Sequence, residues 1–494
     1  MDVPSSSKLE QPKARSGVPG LDDVLCGGFP RDRLFLLQGD PGVGKTTLAL
    51  QFLIEGARHN ERCLYITLSE TSDELTSVAA SHGWTLDNLH LFELPIGEGL
   101  DPEAENTLFY PSEVELAETT KLLLDKIEEL KPTRVVFDSM SEIRLLAQSP
   151  LRYRRQVLAL KQFFGGRKCT VLLLDDRTSE AGDLQLQSIA HGVVTLDQLS
   201  PLYGAERRRV RVLKMRGVKF RGGYHDFILE TGGMRVFPRL VAAEHHQKVE
   251  RKTLEGGVAG LDQLLGGGLE FGTSTLFMGP AGSGKSTVAA QFVHGASAAG
   301  IRSAVFAFDE SASMLRSRAT KVGLDLDPFI AKGTIELRQI DPAELAPGEF
   351  VHAVRAAVED RGVRVVVIDT LNGYLHAMPE EHFLTLQLHE LFTYLSQMGV
   401  LTIVVVAQHG FLGAAINSPI DVSYLADGLV LFRHVELGGK LSKAISVLKK
   451  RSSGHEATIR AFSITSKGIE VGEPLYGLQG VLTGVPQHFT PDGK

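Results

Sequence analysis

The chain has 494 residues, of which 43% are hydrophobic and 22% are charged, and its formal net charge is −7 at pH 7. This length exceeds one hydrophobic core and predicts two to four domains of a globular protein. The acidic balance gives no global signal for nucleic acid or an anionic membrane, and no apolar run approaches the ~18 residues that a spanning helix needs. Three scattered cysteines without a CxxC pair, and the lack of a signal-peptide core, favour a cytoplasmic protein.

Residues 1–16 are polar and rich in Pro and Ser, which predicts a disordered tail. The run RLFLLQG at 33–39 then predicts a buried strand that ends in glycine, and apolar spacing predicts a helix over 46–59. A second strand is expected over 61–69. The helix that follows, over 71–83, begins with capping-box spacing and ends at a glycine.

An amphipathic helix is predicted over 113–132, where Pro132 stops it, and further strands are predicted over 133–139 and 169–175. Strands that alternate with helices form mostly parallel sheets with helices on both faces. The fold class is therefore α/β.

The same order of motifs recurs in the second half of the chain, so the sequence is two tandem copies of one unit. We expect a first domain over 17–245, a linker over 246–256 and a second domain over 257–494. The paired segments are 16–32 and 256–272, 39–52 and 279–292, 135–139 and 366–370, and 212–217 and 447–452.

Both copies contain a glycine-rich phosphate loop of the form GxxxxGK[ST], as GDPGVGKT at 39–46 and GPAGSGKS at 279–286. In this motif, backbone N–H groups and a helix N-terminus bind phosphate oxygens, the lysine reaches the β- and γ-phosphates, and the hydroxyl binds Mg²⁺. Each match lies between a predicted strand and a predicted helix. The sequence therefore predicts two sites for ATP and Mg²⁺.

A carboxylate for the magnesium shell is expected at Asp138 and Asp369, because each ends an apolar strand. The metal set would be Thr46 with Asp138 in the first domain and Ser286 with Asp369 in the second, partly through water. The alternative is that each aspartate simply terminates its strand.

Hydrolysis also needs a group that orients or deprotonates water. The candidates follow the second strand, as Glu70 in the first copy and as Asp309 and Glu310 in the second. A carboxylate that only stabilises a helix start is the alternative.

Lys214 and Arg216 alternate on a predicted strand, so both point to one face, and Lys449 and Arg451 repeat this spacing. In P-loop enzymes an arginine supplied by a neighbouring molecule can stabilise charge on the transferring phosphate. Two alternatives stay open: a solvated charged face, or a DNA-facing strip, since residues 207–221 include eight basic side chains.

These duplicated motifs resemble the KaiC-like family, relatives of the circadian clock ATPase and autokinase, with two tandem RecA-like P-loop domains. The resemblance covers residues 17–487, and each domain opens with a shared signature, GVPGLDDVLCGG or GVAGLDQLLGGG. It implies a homohexamer of two rings with ATP at subunit interfaces, a slow ATPase ring, and a second ring that phosphorylates itself on serine or threonine. The ATP-binding residues that it implies are Gly42, Val43, Gly44, Lys45, Thr46, Thr47, the adenosine-side Ser81, Lys214, Met215, Arg216, Gly282, Ser283, Gly284, Lys285, Ser286, Thr287, Lys449 and Arg451.

The sequence departs from the family pattern in three places. The paired glutamates of the first domain are Ser69-Glu70 here, so Glu70 would act alone, whereas Asp309-Glu310 keeps both acids. The phosphosites align with Ser423-Tyr424, which leaves Ser423 as an acceptor, with Ser418 as a second candidate. An unmodified strand-edge serine is the alternative at Ser423. The chain ends in VPQHFTPDGK, without the tail that KaiA grips, so we expect an unidentified signalling partner rather than KaiA.

Two other function classes stay open at this point. The first is a RecA-family DNA-dependent ATPase, such as a recombinase or helicase, although the sequence has no recognisable DNA module and nucleic acid is not expected as a partner. The second is a binding platform in which ATP holds the assembly together without turnover. No membrane partner is expected.

Overall fold

The computed structural model describes residues 12–94, 111–177, 185–201, 203–247, 252–376, 384–408, 424–437, 439–476, 478–480 and 487–488. The chain divides into two compact units, Met1–Arg239 and Leu240–Lys494. Residues 240–245, which the sequence assigned to the first domain, pack on the second unit instead. The backbone N–H of Ala242 donates to Glu390 Oε2 over 2.9 Å, and the His245 ring packs edge-on against Tyr394.

The first unit is built on a nine-stranded sheet in the order β11-β10-β9-β8-β3-β7-β6-β4-β5. Strands from β8 to β5 are parallel, and β9, β10 and β11 extend the sheet as antiparallel neighbours. The strands are β1 (Lys13–Ala14), β2 (Phe29–Pro30), β3 (Leu34–Gly39), β4 (Cys63–Thr67), β5 (His90–Glu93), β6 (Arg134–Asp138), β7 (Thr170–Asp176), β8 (Gly192–Leu199), β9 (Arg207–Met215), β10 (Tyr224–Glu230) and β11 (Gly233–Phe237).

Helices connect these strands and cover the sheet, as the alternation of the sequence predicts. The helix that opens with Thr71 has both hydrogen bonds of the capping box with Glu74, which confirms that prediction. The helices are α1 (Leu21–Val24), α2 (Lys45–Arg58), α3 (Ser72–Ser81), α4 (Pro111–Leu130), α5 (Met140–Ala147), α6 (Pro150–Phe164) and α7 (Gln185–Ile189).

The second unit repeats this architecture with a nine-stranded sheet in the order β16-β15-β17-β18-β14-β19-β20-β21-β22. A short 3₁₀ turn, Ala242–Glu244, precedes it. Its strands are β12 (Thr253–Leu254), β13 (Leu269–Glu270), β14 (Ser274–Gly279), β15 (Ser303–Ala307), β16 (Ile335–Gln339), β17 (Val365–Asp369), β18 (Leu401–Ala407), β19 (Gly428–Leu437), β20 (Lys440–Lys450), β21 (Ile459–Thr465), β22 (Gly468–Pro474), β23 (Leu478–Gln479) and β24 (Gln487–His488). Its helices are α8 (Ala259–Leu264), α9 (Lys285–Ala298), α10 (Ala312–Lys321), α11 (Asp327–Ala331), α12 (Pro347–Glu359), α13 (Leu371–His376) and α14 (Leu384–Gln397).

The central strands are buried along their whole length, because helices cover both faces of the sheet. All six residues of β3 and of β14 are buried, and so are all five residues of β6 and of β17. Two tandem RecA-like α/β domains are therefore confirmed. Among the described residues, no helix is both long and apolar enough to cross a bilayer.

The segment expected to be a disordered tail is ordered from residue 12 onward, so that expectation is wrong for residues 12–16. Strand β1 pairs with β2, and Ser16 is buried. The cause is a buried guanidinium: Arg134 Nη1 donates to the carbonyl oxygens of Arg15 and Phe52, each over 2.7 Å, while its Nε pairs with Glu61. This contact fixes the segment to the sheet. Residues 1–11 lie outside the described part of the chain.

Candidate nucleotide sites

The two phosphate loops lie at the same place in the two units, between β3 and α2 and between β14 and α9. The last glycine of each loop has a positive φ, 110° at Gly44 and 105° at Gly284, which a side chain would strain. Neither described helix start is capped by a side chain. Backbone N–H groups at both helix starts can therefore serve an anion.

The loop lysines are buried and fold back over their own loops. Lys45 Nζ donates to the carbonyl oxygens of Gly39 and Asp40, each over 2.9 Å, and lies 2.6 Å from Asp176 Oδ1. Lys285 Nζ donates to Gly279 and Pro280 over 2.8 and 2.7 Å. Burial lowers the pKa of Lys285 to about 8. Both ammonium groups thus lie inside the cradle where this motif binds phosphate.

The predicted metal pairs come together in both units. Thr46 Oγ1 donates to Asp138 Oδ2 over 3.3 Å, and Ser286 Oγ donates to Asp369 Oδ1 over 3.0 Å. Burial raises the pKa of both carboxyl groups, to about 6 for Asp369. The hydroxyl of Tyr65 also donates to Asp138. A buried carboxylate beside a hydroxyl supplies the oxygen ligands that suit Mg²⁺.

In the first unit, Glu70 is half-buried after β4. Its Oε2 is buried without a hydrogen-bond partner among the described residues. Burial and the negative charge of Asp138 raise the pKa of Glu70 to about 6. A poised carboxyl group with a buried, unsatisfied oxygen is suited to hold a water molecule and take its proton.

The corresponding acids of the second unit have partners. Arg318 Nη2 donates to Glu310 Oε2 over 2.7 Å, and its Nη1 donates to Thr287 Oγ1 over 3.1 Å. Asp309 is exposed and accepts a hydrogen bond from the Thr370 hydroxyl. Thus Glu310 is held in an ion pair, and Asp309 is the acid that faces outward.

Sequence analysis missed Arg318. Its helix α10 begins two residues after Glu310, as α3 begins two residues after Glu70 in the first unit, and α3 has Val78 at the matching position. Comparison of the two repeats shows arginine in one and valine in the other, but only the folded structure shows that Arg318 pairs with Glu310.

Ser81 lies at the end of α3, where its Oγ donates to the Val78 carbonyl oxygen over 2.7 Å. The next residue, His82, contacts the cradle directly: its Nε2 lies 3.4 Å from Thr47 Oγ1, and its Nδ1 lies 2.9 Å from the Glu230 carbonyl oxygen. The C-terminal end of α3 therefore borders the first loop. No sequence signal singled out His82.

The K-x-R pair of the first unit lies at the far end of the sheet from its own cradle. Met215 pairs with Gly192 at the start of β8, and Gly192 in turn pairs with Phe35. The cradle begins at Gly39, four residues further along β3, or about 13 Å at the usual strand rise. The structure does not bring Lys214 and Arg216 to the phosphate loop of their own chain.

The second unit has the same arrangement. Lys449 pairs with Leu429 near the start of β19, and its Nζ donates to the Ala426 carbonyl oxygen over 2.7 Å. Leu429 pairs with Leu276 in the middle of β14, before that strand reaches its loop. Arg451 follows directly after β20. In both units, any role of these cations at a phosphate would involve another molecule.

The two phosphoacceptor candidates, Ser418 and Ser423, lie outside the described residues. The described chain resumes at Tyr424, whose exposed fraction is 55%.

Comparison with known proteins agrees with the duplicated architecture. The family profile described as "ATPase: KaiC" matches twice, at residues 14–241 and 254–476. The circadian clock oscillator protein KaiC of Thermosynechococcus vestitus is 26% identical over 99% of this chain and 94% of that protein. Its namesakes from Synechococcus elongatus and Prochlorococcus marinus are also 26% identical, over 98% and 99% of this chain and 93% and 98% of theirs. Because the family profile covers most of the sequence and includes both phosphate loops, this chain belongs to the KaiC family of ATPases.

Proposed function

We propose that the protein is an Mg²⁺-dependent ATPase whose second domain phosphorylates the chain on serine, and that it works as a hexameric signalling or timing switch. One observation carries the proposal. In both units, a buried lysine, a hydroxyl and a strand-terminal carboxylate meet at a glycine-rich loop, whereas the acids around them differ between the units.

The loop residues of each unit would hold the phosphates of ATP. Thr46 with Asp138 and Ser286 with Asp369 would hold Mg²⁺, partly through water, because each pair offers a hydroxyl and a buried carboxylate. When bound, the metal would neutralise charge that develops on the phosphate oxygens.

In the first unit, Glu70 is the base for hydrolysis. Its raised pKa lies close to neutral pH, and an efficient base has a pKa close to the working pH. Ser69 offers no second carboxylate, so a slow reaction is expected there.

In the second unit, Asp309 is the acid best placed to accept a proton from a serine hydroxyl. Glu310 is occupied by Arg318, while Asp309 is exposed and its hydrogen bond comes from a neighbouring hydroxyl. Ser423 is the proposed acceptor and Ser418 the second candidate.

The position of the K-x-R pairs supports an assembly in which neighbouring chains share sites, and we propose that this assembly is a hexamer. Neither pair lies beside the phosphate loop of its own unit in the sheet, so Lys214 and Arg216 would serve a neighbour's ATP. Lys449 and Arg451 would do so in the second ring. A closed ring satisfies all such contacts at once.

The strip of basic residues on β9 does not favour a DNA motor. Arg209 Nε pairs with Asp226, Arg211 lies over the Tyr224 ring, and Arg207 is buried. These three of the eight basic side chains at 207–221 are engaged within their own sheet, which leaves fewer cations on this strand for the phosphates of DNA.

Incubation of the full chain with γ-labelled ATP tests the kinase assignment. We expect label in the second domain that is lost in Ser423→Ala and kept in Ser418→Ala. Label that survives when both serines are replaced would contradict the acceptor assignment, and the absence of label from the second domain would remove the kinase half of the proposal.

A further inference from the structure

The two loop lysines differ in one contact that the proposed function does not use. In the first unit, Lys45 Nζ lies 2.6 Å from Asp176 Oδ1, and the two side chains are 8% and 26% exposed. Asp176 is held in place by Ser141, because its backbone N–H donates to Ser141 Oγ over 3.1 Å and that hydroxyl lies 3.4 Å from Oδ2.

The second unit lacks this carboxylate. Gly39 pairs with Asp176 across β3 and β7, and the equivalent pairing across β14 and β18 joins Gly279 to Ala407. Among the described residues, Lys285 forms no ion pair. The same strand end therefore carries an acid in one unit and a methyl group in the other.

A carboxylate at this distance competes with a phosphate for the same ammonium group. It neutralises the cation that the phosphate would bind, and its own negative charge repels the phosphate. Ser141 holds the backbone of Asp176 and lies beside its carboxylate, which keeps the acid next to Lys45. The contact orients Lys45 and also weakens what Lys45 can offer to a ligand.

We propose that Asp176 is a positioning residue of the first nucleotide site: it acts through Lys45 and makes this site bind nucleoside triphosphates more weakly than the second site. The inference rests on the proposed function, which makes this loop an ATP site. The two sites then differ in their affinity for nucleotide, and Asp176 sets the difference.

The test measures binding of a fluorescent, non-hydrolysable ATP analogue with Mg²⁺ to the full chain. Lys285→Ala removes the second site, so only the first is measured. In that background, Asp176→Asn is expected to lower the Kd roughly tenfold, the scale of one charge-assisted interaction, and Asp176→Glu is expected to restore the weak binding.

Ala407→Asp is the matched control. In a Lys45→Ala background, which leaves the second site, it is expected to raise the Kd roughly tenfold. Circular dichroism checks that each variant is folded, and Asp176→Asn, which has the same shape as the native residue, decides the test if Ala407→Asp does not fold.

Steady-state turnover separates this role from catalysis. A positioning role predicts a lower KM in Asp176→Asn with little change in kcat, whereas a fall in kcat with unchanged analogue binding would overturn the inference and make Asp176 a base. Unchanged or weaker analogue binding in Asp176→Asn would also overturn it. If Lys285→Ala binds no analogue at all, the proposed function of the first site fails instead.

Discussion

Replacement of Glu70 by Gln should lower the rate of the first site and stabilise the fold. The carboxyl group is half-buried, and burial with the nearby charge of Asp138 raises its pKa from 4.5 to about 6. As the proposed base for hydrolysis it must be ionised, so the rate should rise with pH, with a midpoint near 6. With a pKa of about 6, roughly 90% is ionised at pH 7 and roughly 9% at pH 5, a change of about tenfold in rate.

The same raised pKa affects stability in the opposite direction: the free energy of unfolding should fall as the pH rises, whereas the rate should rise. Because the folded-state pKa of Glu70 is raised, ionisation favours the unfolded chain, and the cost grows as the pH rises from 4.5 through 6. A difference of 1.5 pKa units corresponds to about 2 kcal/mol. Glu70→Gln should therefore raise the free energy of unfolding by up to about 2 kcal/mol at pH 7, and this gain should vanish below pH 4.5.

Two assays measure these effects. Phosphate release by the Lys285→Ala chain reports the first site alone, and Glu70→Gln should reduce it by about 10²–10⁴-fold and remove its pH dependence. Unfolding of the first unit is followed by fluorescence of Trp84, the only tryptophan of the sequence.

The matched control is Glu310→Gln. It breaks the ion pair with Arg318, so it should destabilise the second unit. A rate of the first site that stays flat between pH 5 and 7, or a Glu70→Gln variant that is less stable than the native chain at pH 7, would refute the reasoning about Glu70.

Three further predictions concern the side chains of Arg134, His225 and Arg318. Arg134→Met should destabilise the first unit by about 3–5 kcal/mol, because it leaves two carbonyl oxygens without a donor and takes from Glu61 one of its two arginine partners, the other being Arg31. Trp84 fluorescence during thermal unfolding measures the effect. A near-neutral effect would contradict the prediction, and Val365→Met at the equivalent strand position is the control. Burial lowers the pKa of His225 to about 4, so protonation of this imidazole favours the unfolded chain. The free energy of unfolding should therefore fall by about 3 kcal/mol as the pH falls from 6.5 to 4. In His225→Asn, which has no titrating group at this position, this fall should be absent. Arg318→Met should lower self-labelling of the second domain and leave phosphate release by the first site intact; equal loss of both would contradict the separation of roles.

The phosphate loops and the strands and helices beside them could be predicted because short local patterns specify them. The run LFLLQG is apolar on both faces, which requires a strand in the middle of a covered sheet, and the glycines with Lys45 and Thr46 then allow only a tight turn into a helix. Because the sequence is duplicated, each motif occurs at the same place in both copies, which supports its assignment twice.

The contacts that distinguish the two sites could not be predicted, because they join side chains from different elements. Asp176 and Lys45 belong to β7 and α2, and nothing in either segment indicates that they touch. The ion pair joins Arg318 of α10 to Glu310, which lies between β15 and α10, and the sequence of neither segment indicates it. Periodicity reports which face of an element is buried, but it does not report which charged groups meet at its end.

The ordered start of the chain was missed for a related reason. Composition alone marks residues 1–16 as a tail, whereas order at residues 12–16 comes from Arg134, a buried cation on a central strand that needs carbonyl oxygens from elsewhere.

The most direct test of the central claim is to separate the two reactions by their loop lysines. The full chain, Lys45→Ala and Lys285→Ala are incubated with γ-labelled ATP, and released phosphate and label bound to protein are measured in the same samples. If the two sites have separate roles, Lys45→Ala loses most phosphate release and keeps label in the second domain. Lys285→Ala keeps phosphate release and loses the label, and the double variant loses both. Turnover that persists in the double variant, or label in the second domain that survives Lys285→Ala, would contradict it.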